Sequence, residues 1–309
     1  MKNKYFRLLI SIALMSNTLF AYSQKTIIME SQIIKTDVGT IEYTLEGKGK
    51  TVLIIHGGND NCFTDIKQQH LIDDGYQVLV PSRPGYGKTS IEFGKTASEQ
   101  ADFLKILLDS LKINKAAILA NSAGGAVALE FAKKYSENTA CLIMEEAITK
   151  TWVPKFSAQY FGMKYLMHPK RQSKLWEKQR AEFENTRIKH LNRICKIFST
   201  LKPEYVLSEW DENDIEFYEK MLSQLNSGHG FINDVDHKAK DIHLITVPTL
   251  IIHSPFDKNV PFSHALYAHK KIRNSELFVA PALSHIIYMG KDCKYILDKR
   301  ISFLKDSAW

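Results

Sequence analysis

The chain has 309 residues, of which 44% are hydrophobic and 24% are charged, an ordinary globular composition with enough apolar residues for a large core. This composition excludes a disordered chain and fits one or two domains. The net charge of +7, from 41 basic and 34 acidic residues, is a modest excess, and no arginine-rich stripe with interleaved aromatic residues accompanies it. Nucleic acid is therefore not an expected partner.

The N-terminus has the pattern of an export signal. Basic residues precede an apolar run from Leu8 to Phe20, and Ala21 and Ser23 are small residues at the positions that matter for cleavage before Gln24. We predict a signal peptide at residues 1–23 and an exported protein, periplasmic or secreted. No later stretch approaches the roughly eighteen consecutive apolar residues of a membrane span, so we expect no stable membrane insertion after cleavage. An uncleaved N-terminal anchor is the alternative.

The four cysteines are widely spaced and form neither a disulfide framework nor a CxxC metal pattern. They are Cys62, Cys141, Cys195 and Cys293. Export would place them in an oxidising compartment. Cys141 opens an apolar strand-like run, where a packing role is expected. The sequence therefore favours buried thiols and predicts no metal site.

Strand-like and helix-like patterns alternate along the chain. The predicted strands are Ile41–Leu45, Thr51–Ile55, Gln77–Val80, Lys115–Leu119, Ala140–Met144, Thr249–His253 and Ser275–Val279. Several are near-continuous apolar runs, as expected for strands that are covered on both faces. The predicted helices are Phe63–Leu71, Ala97–Leu111, Gly124–Tyr135, Ser263–His269 and Lys294–Leu304. This alternation predicts an α/β protein with a mostly parallel central sheet flanked by helices.

The alternation stops between about Thr151 and Lys240, where helical and aromatic-rich sequence replaces the strands. A segment of this length is too long for an ordinary connection, so we predict a structured insertion. Residues 151–202 hold twelve Lys or Arg against three Asp or Glu, whereas residues 203–230 hold one against seven. Two solvated helix faces of complementary charge would give this pattern, and we favour this interpretation over a charged surface that attracts acidic substrates.

Ser122 lies in the stretch Ala120-Asn121-Ser122-Ala123-Gly124, between a predicted buried strand and a predicted helix. A side chain on such a turn lies above the carboxyl end of the sheet, where open α/β folds bind their ligands. The start of the helix also supplies free N–H groups that would stabilise an oxyanion. A serine that only caps the helix would give the same local pattern, so this stretch alone leaves both interpretations open.

Three further stretches place polar residues just after predicted strands. In His56-Gly57-Gly58, the glycine pair lets a backbone N–H approach a substrate oxygen. Asp257 lies in a proline-flanked turn after the sixth predicted strand, and His285 follows the seventh. One strand-helix-strand unit separates them, so both loops reach one end of the sheet, where the carboxylate would orient the imidazole. An Asx turn and structural histidines are the alternatives.

Together these residues resemble the α/β-hydrolase superfamily, from about Thr36 to the C-terminus. The chain order Ser122, Asp257, His285 is the nucleophile, acid and histidine order of that family. The stretch VPSRPGYGKTS resembles the RxGxGxS loop of its cap-bearing members. The resemblance implies an α/β-hydrolase core with an inserted helical cap. The boundaries that follow are residues 24–150 and 241–309 for the core and residues 151–240 for the cap.

The resemblance also implies roles for individual residues. It makes Ser122 the nucleophile, His285 the general base and Asp257 the partner that orients the imidazole. It forms the oxyanion hole from the backbone N–H groups of Gly58 and Ala123, with Asn59 as the neighbouring candidate. Substrate or loop contacts are expected at His56, Gly57, Asn59 and Asn121. No metal or organic cofactor is required, and the usual GxSxG motif begins here with alanine, as in some lipases of the superfamily.

A serine nucleophile argues against the epoxide hydrolases and haloalkane dehalogenases of this superfamily, which use aspartate. We predict an exported serine hydrolase that cleaves a small-molecule carboxylic ester. The alternatives are a proline-iminopeptidase-like aminopeptidase, with Glu145 and Glu146 considered for amine recognition, a carbon–carbon bond hydrolase, and a non-catalytic ligand-binding protein. The insertion holds aromatic residues suited to an apolar lid, although we expect most of them to pack in its own core. They are Trp152, Phe156, Tyr160, Phe161, Tyr165 and Trp176.

Overall fold

A computed structural model describes residues 30–307, and the predicted signal peptide lies outside them. The strands are β1 (Gln32–Thr36), β2 (Gly39–Gly47), β3 (Thr51–Ile55), β4 (Gln77–Pro81), β5 (Ala116–Asn121), β6 (Thr139–Glu145), β7 (Thr249–His253) and β8 (Ser275–Val279). The helices are α1 (Gln69–Asp73), α2 (Ala97–Ser110), α3 (Gly125–Lys134), α4 (Ala158–Leu166), α5 (Pro169–Phe198), α6 (Pro203–Leu207), α7 (Glu212–Gln224), α8 (Phe231–Asp234), α9 (Ser263–Lys271) and α10 (Cys293–Asp306).

The strands of the described residues form one sheet in the order β1-β2-β4-β3-β5-β6-β7-β8. The pairs β1–β2 and β2–β4 are antiparallel, and every pair from β4 across to β8 is parallel. All residues of β3, β6 and β7 are buried, as their continuous apolar sequences predict. The predicted fold class, a mostly parallel sheet flanked by helices, is confirmed.

Each face of the sheet carries its own apolar cluster. Helices α2, α3 and α9 cover one face, with Leu107 and Phe131 fully buried there. Helices α1 and α10 cover the other face, where α5 and α7 of the insertion join the same cluster through Phe183 and Tyr218. Full burial of one such side chain contributes about 1.5–3 kcal/mol. The sheet is therefore held from both sides, and the ends of its strands are rigid supports for loops.

Two sequence expectations at the start of the chain differ from the structure. The edge strand β1 was not predicted, because its short sequence is only partly buried and lacks a continuous apolar run. The predicted helix Phe63–Leu71 is wrong over most of its length, since only Gln69–Asp73 is helical. The Asn61 and Gln68 side chains accept hydrogen bonds from nearby backbone N–H groups and hold this segment in turns.

The insertion, residues 151–240, contains the five helices α4 to α8 and no strand. Helices α5 and α7 pack through Phe183 and Tyr218, whose ring centroids are 5.8 Å apart. The hydroxyl of Tyr218 lies 2.8 Å from Nε2 of the buried His190. The helical character of this segment therefore follows the sequence expectation, whereas its exact boundaries as a cap stay a prediction.

Within residues 30–307, no helix is long and apolar enough to cross a bilayer. All four cysteines are buried free thiols. Burial raises the pKa of the thiols of Cys62 and Cys141 to about 11, which keeps both protonated at neutral pH.

Candidate active site

Ser122 occupies a sharp turn between β5 and α3. Its φ is +48°, a left-handed conformation that costs a non-glycine residue about 1–3 kcal/mol and persists only where the surroundings enforce it. The packing around Gly124 shows what enforces this conformation. A Cβ at Gly124 would lie 2.3 Å from the carbonyl oxygen of Ile55 in β3. The start of the helix thus lies directly against the neighbouring strand, and the turn lifts the Ser122 hydroxyl above the end of the sheet.

The structure brings Ser122, His285 and Asp257 into one hydrogen-bonded chain. Nε2 of His285 lies 3.0 Å from Oγ of Ser122, and Nδ1 lies 2.6 Å from Oδ2 of Asp257. The other carboxylate oxygen, Oδ1, accepts the backbone N–H groups of Asn259 and Val260 at 2.8 and 2.9 Å. The loops after β5, β7 and β8 therefore place a hydroxyl, a carboxylate and an imidazole in the geometry that activates a serine.

A second carboxyl, that of Glu146, lies beside Asp257, and sequence reasoning did not place it there. Its Oε1 accepts the backbone N–H of Ser254 at 2.6 Å, whereas Oε2 lies 3.2 Å from Nε2 of His253 and accepts no hydrogen bond among the described residues. Single ligating atoms of Glu146, Asp257 and His285 all lie within 4.8 Å of one another. Carboxylate and imidazole groups are of the kinds that bind metal ions, but these three side chains already pair with one another.

The two buried carboxyls hold one proton between them. Burial and the neighbouring Asp257 raise the pKa of Glu146 well above its usual range. Burial opposes ionisation of Asp257 too, but the charge of His285 and hydrogen bonds from Glu146, His253 and His285 hold its pKa well below the usual range. Two adjacent buried carboxylates cannot both ionise, so Glu146 keeps the proton and its hydroxyl donates a hydrogen bond to the Asp257 carboxylate.

The backbone amide of Ala123 belongs to the Ser122 turn, and that of Gly58 belongs to the glycine loop that lies against this turn. Neither donates a hydrogen bond to another group of residues 30–307. A Cβ on Gly58 would lie 3.6 Å from Cβ of Ala123 and 2.9 Å from the Phe231 ring, so the two backbones are close and only glycine fits. Asn59, the neighbouring candidate, accepts the Ser227 hydroxyl through its side-chain oxygen at 2.6 Å. Gly58 and Ala123 are therefore the amides available to hold an oxyanion.

His56 supports the glycine loop and does not line the cavity. Its Nε2 accepts the backbone N–H of Arg83 at 3.0 Å, so its Nδ1 carries the hydrogen and donates to the Gly57 carbonyl at 2.7 Å. Burial and the charge of Arg83 lower the pKa of His56 to about 3, which keeps the ring neutral. The Arg83 side chain adds hydrogen bonds to the carbonyls of His56 and Gly57. These four bonds fix the position of the loop.

Arg83 also joins this loop to the insertion, a contact that sequence reasoning missed. Its guanidinium donates to both carboxylate oxygens of Asp234 in α8, at 2.7 and 2.6 Å, and both side chains are fully buried. The Tyr86 hydroxyl donates to the same carboxylate. Burial opposes the charge on Asp234, but Arg83 holds its pKa well below the usual range. The ion pair is therefore formed throughout the neutral pH range.

A cavity of about 430 Å³ lies over Ser122, between the ends of the strands and the insertion. Its wall is mostly apolar, and the polar side chains on it include Asn59, Asp60, Asn121, Gln179 and Arg193. The Asn121 side-chain oxygen is buried and has no donor among the described residues. Both oxygens of Asp60 accept hydrogen bonds, from Thr64 and from the amide of Asn61, and burial raises its pKa to about 6. The cavity accordingly suits a largely apolar small molecule.

The aromatic residues of the insertion do not behave as one group. Trp152 and Trp176 line the cavity. Phe156, Phe161 and Tyr165 are exposed, so the expectation that most of these residues pack in the core of the insertion is wrong. Periodicity could not separate them, because apolar residues lie on more than one face of helix α4 and their spacing does not say which face is covered.

Comparison with known proteins agrees with this architecture. The family model of the alpha/beta hydrolase fold matches residues 50–292. The uncharacterized hydrolase YcgS of Bacillus subtilis is 36% identical over 266 residues, 84% of this chain and 93% of that protein. A 2-hydroxy-6-oxo-6-phenylhexa-2,4-dienoate hydrolase of Comamonas testosteroni is 32% identical over 112 residues, 34% of this chain and 38% of that protein. An alpha/beta hydrolase fold protein from Nakamurella multipartita has a TM-score of 0.75 at 23% identity, over 89% of this chain and 99% of that one.

Proposed function

The chain belongs to the alpha/beta hydrolase fold family and is a hydrolase, and we propose that it cleaves a small-molecule carboxylic ester with Ser122 as nucleophile. The observation that carries this proposal is the hydrogen-bonded chain from Ser122 through His285 to Asp257, at 3.0 and 2.6 Å, beneath an apolar cavity. Residues 151–240 act as the cap that closes this cavity.

The geometry supports a two-step acyl transfer. Oγ of Ser122 attacks the ester carbonyl carbon while Nε2 of His285 takes its proton, and the amides of Gly58 and Ala123 hold the oxyanion. The intermediate expels the alcohol, which receives the proton from His285. Water then attacks the acyl-enzyme with His285 as base, the acid leaves, and the proton returns to Ser122. Asp257 keeps the hydrogen on Nδ1 and stabilises the imidazolium.

Covalent labelling tests this proposal directly. We expect a fluorophosphonate to modify Ser122, as located by peptide mass spectrometry, and no adduct in His285→Ala. Ser122→Ala should reduce kcat on p-nitrophenyl esters by about a million-fold, whereas the matched control Ser263→Ala should leave it unchanged. A folded protein with no adduct, whose melting temperature rises with a ligand that it does not turn over, would instead indicate a non-catalytic binding protein.

A second candidate is cleavage of a carbon–carbon bond. The name of the Comamonas relative denotes a substrate with a carboxylate and a phenyl group. In this chain, Arg193 lies on the wall of an otherwise mostly apolar cavity, and its guanidinium pairs with Glu182 at 2.7 Å. A substrate carboxylate would bind there by sharing or replacing that pair. Turnover of that dienoate, followed by its absorbance, with a KM about tenfold higher in Arg193→Gln would support this reaction. Turnover of uncharged esters alone would favour the first proposal.

Glu145 and Glu146, considered for amine recognition in the aminopeptidase alternative, are not available for that role. Glu145 is fully buried, with hydrogen bonds from Tyr288 and Arg300. Glu146 is engaged with Asp257, and neither glutamate lines the cavity. Both carboxyls are therefore part of the fold and of the triad surroundings.

We also propose that the protein is exported, because of the basic and apolar pattern at residues 1–23. N-terminal sequencing of the protein recovered outside the cytoplasm should begin at Gln24. Recovery of the uncut chain in the membrane fraction would indicate an anchor instead.

A further inference from the structure

Helix α4 presents an apolar face to solvent. Phe161 and Tyr165, one turn apart, are 56% and 60% exposed, and Leu166 beside them is 51% exposed. The preceding Phe156 is 78% exposed and contacts the Phe161 ring at 6.3 Å between centroids. A Cβ on Gly162 would meet no atom within 4 Å, so this face of the helix is open at Gly162 among the described residues. We name these four large side chains, Phe156, Phe161, Tyr165 and Leu166, the aromatic patch.

The lysine of the same helix is only partly exposed and is paired within the insertion, whereas Gln159 is exposed. Lys164 forms an ion pair of 2.5 Å with Asp236, and Tyr160 donates to the same carboxylate at 3.0 Å. Met163 and Met167 pack against the small cluster around Phe231. A solvated helix normally turns its lysine outward and its aromatic side chains inward. Here Lys164 is held by Asp236 while Phe161 and Tyr165 are exposed, which favours an apolar or interfacial environment for the outer face.

A cationic stripe adjoins the aromatic patch on α5. Lys170, Lys174 and Lys178 follow at intervals of four residues, so they share one helix face, and all three are exposed with no ion pair among the described residues. The Arg171 guanidinium lies 4.0 Å from the centre of the Tyr165 ring and joins the stripe to the patch. Glu177 is the acidic residue in these turns.

The position of this stripe is unfavourable for the helix itself. Of the three lysines only Lys170 lies in the first turn of α5, which holds no acidic residue, and a cation there opposes the helix dipole. Lysines four residues apart also repel one another. Local stability does not explain the stripe, whereas an external anionic surface would compensate both effects.

We propose that the aromatic patch and the cationic stripe dock the protein onto an anionic lipid surface. Exposed aromatic side chains beside a row of lysines are the features with which interfacial helices bind such membranes. Leu166 belongs to the patch and also lines the cavity over Ser122, so the docked face borders the entrance to the site. A second copy of the chain is a poorer occupant, because it would bring an identical cationic stripe against this one.

Vesicle sedimentation tests the proposal without any turnover, so it is independent of the proposed ester chemistry. The chain beginning at Gln24 contains the whole compact unit Ser31–Trp309 and removes any contribution of the N-terminal apolar run. We expect it to bind vesicles of phosphatidylcholine with phosphatidylglycerol at least about tenfold more tightly than phosphatidylcholine alone, with the preference lost at high salt.

Two pairs of matched variants locate the surface. Phe161→Ser with Tyr165→Ser should weaken binding at least about tenfold, and Lys174→Gln with Lys178→Gln about 25-fold, or fivefold per lysine. The controls, Leu266→Ser with Tyr295→Ser and Lys270→Gln with Lys271→Gln, change equally exposed residues elsewhere and should bind like the wild type. All variants should keep the wild-type melting temperature within a few degrees, since the changed side chains are exposed.

Equal binding to both kinds of vesicle, or equal losses in the patch variants and their controls, would overturn the proposal. A dimer that forms without vesicles and is absent in Phe161→Ser with Tyr165→Ser, as measured by sedimentation equilibrium, would identify a second copy as the occupant and would also overturn it.

Discussion

The ends of the strands and helix α4 border the same cavity, but they distribute polar and apolar side chains in opposite ways. Beneath the cavity, Asp257, Glu146 and Arg83 are almost fully buried, and each is paired with another group. Above it, Phe161 and Tyr165 are exposed and uncovered. Burial of charge and exposure of large aromatic side chains both cost free energy in an isolated protein. Both departures lie where contact with another molecule is expected, the substrate below and a surface above.

The two regions also differ in how firmly they are held. The charged groups below belong to loops that leave a sheet covered on both faces, whereas α4 has no buried residue. The groups beneath the cavity should therefore tolerate substitution badly, and the outer face of α4 should tolerate it well. The following predictions test this difference.

The largest effect is expected at Asp257. Asp257→Asn should lower kcat by about ten-thousand-fold, because an amide at this position favours the wrong imidazole tautomer of His285. The matched control Asp236→Asn removes the carboxylate partner of Lys164 in the insertion and should leave turnover of a soluble ester within a fewfold of the wild type. Steady-state kinetics on both proteins would measure this, and near-normal turnover of Asp257→Asn would remove the residue from its proposed role.

The next largest effect is expected at the ion pair between the glycine loop and the insertion. Arg83→Met leaves the buried Asp234 without its guanidinium partner, so the free energy of unfolding should fall by about 3–5 kcal/mol in urea titrations. Lys105→Met breaks an exposed pair with Asp109 and should cost less than about 1 kcal/mol. Similar losses in the two variants would mean that burial does not distinguish these pairs.

The lowered pKa of Asp234 predicts how the stability contributed by the Arg83–Asp234 ion pair depends on pH. An acid whose pKa is depressed by folding contributes stability above its unfolded pKa of about 3.9 and loses that contribution as pH falls through its folded pKa. In Arg83→Met, burial no longer has the guanidinium to oppose it and raises the pKa of Asp234, so the carboxyl takes up a proton as pH falls and the variant regains stability. The difference in unfolding free energy between wild type and Arg83→Met should therefore be largest at pH 8 and shrink as pH falls towards about 4. A difference that stays the same from pH 8 to pH 4 would contradict the ion pair.

The smallest of these effects is expected at Glu146, where the sign is reversed. Its pKa is raised by folding, so stability is lost as pH rises above the unfolded pKa of about 4.3. Glu146→Gln imitates the protonated carboxyl and should exceed the wild type in unfolding free energy at pH 8, and the two should converge below about pH 4.

The activity of Glu146 variants separates a positioning role from a purely structural one. Glu146→Gln keeps a donor to Asp257 and should retain kcat within about threefold, whereas Glu146→Ala loses one hydrogen bond and should fall about tenfold. The low-pH limb of kcat/KM should shift in Glu146→Ala alone. Identical pH profiles in both variants would show that the proton between Glu146 and Asp257 does not influence His285.

Much of the site followed from local sequence pattern. Ser122, Asp257 and His285 each follow an apolar run, and the carboxyl ends of parallel strands meet at one edge of a sheet, so their proximity could be predicted from chain order. The helix expected at Phe63–Leu71 failed because side chains such as Asn61 bond the local backbone, which hydrophobic periodicity does not detect.

The sequence by itself determined the mostly parallel sheet, the place of the insertion and the loops that reach Ser122, because these depend on periodicities of a few residues and on the geometry of parallel strands. Only the tertiary structure decided that Glu146 lies against Asp257, that Arg83 pairs with Asp234, 151 residues later in the chain, and that Phe161 and Tyr165 face outward. Each of these contacts depends on how distant segments pack, and that packing selects one partner among many residues of the same type.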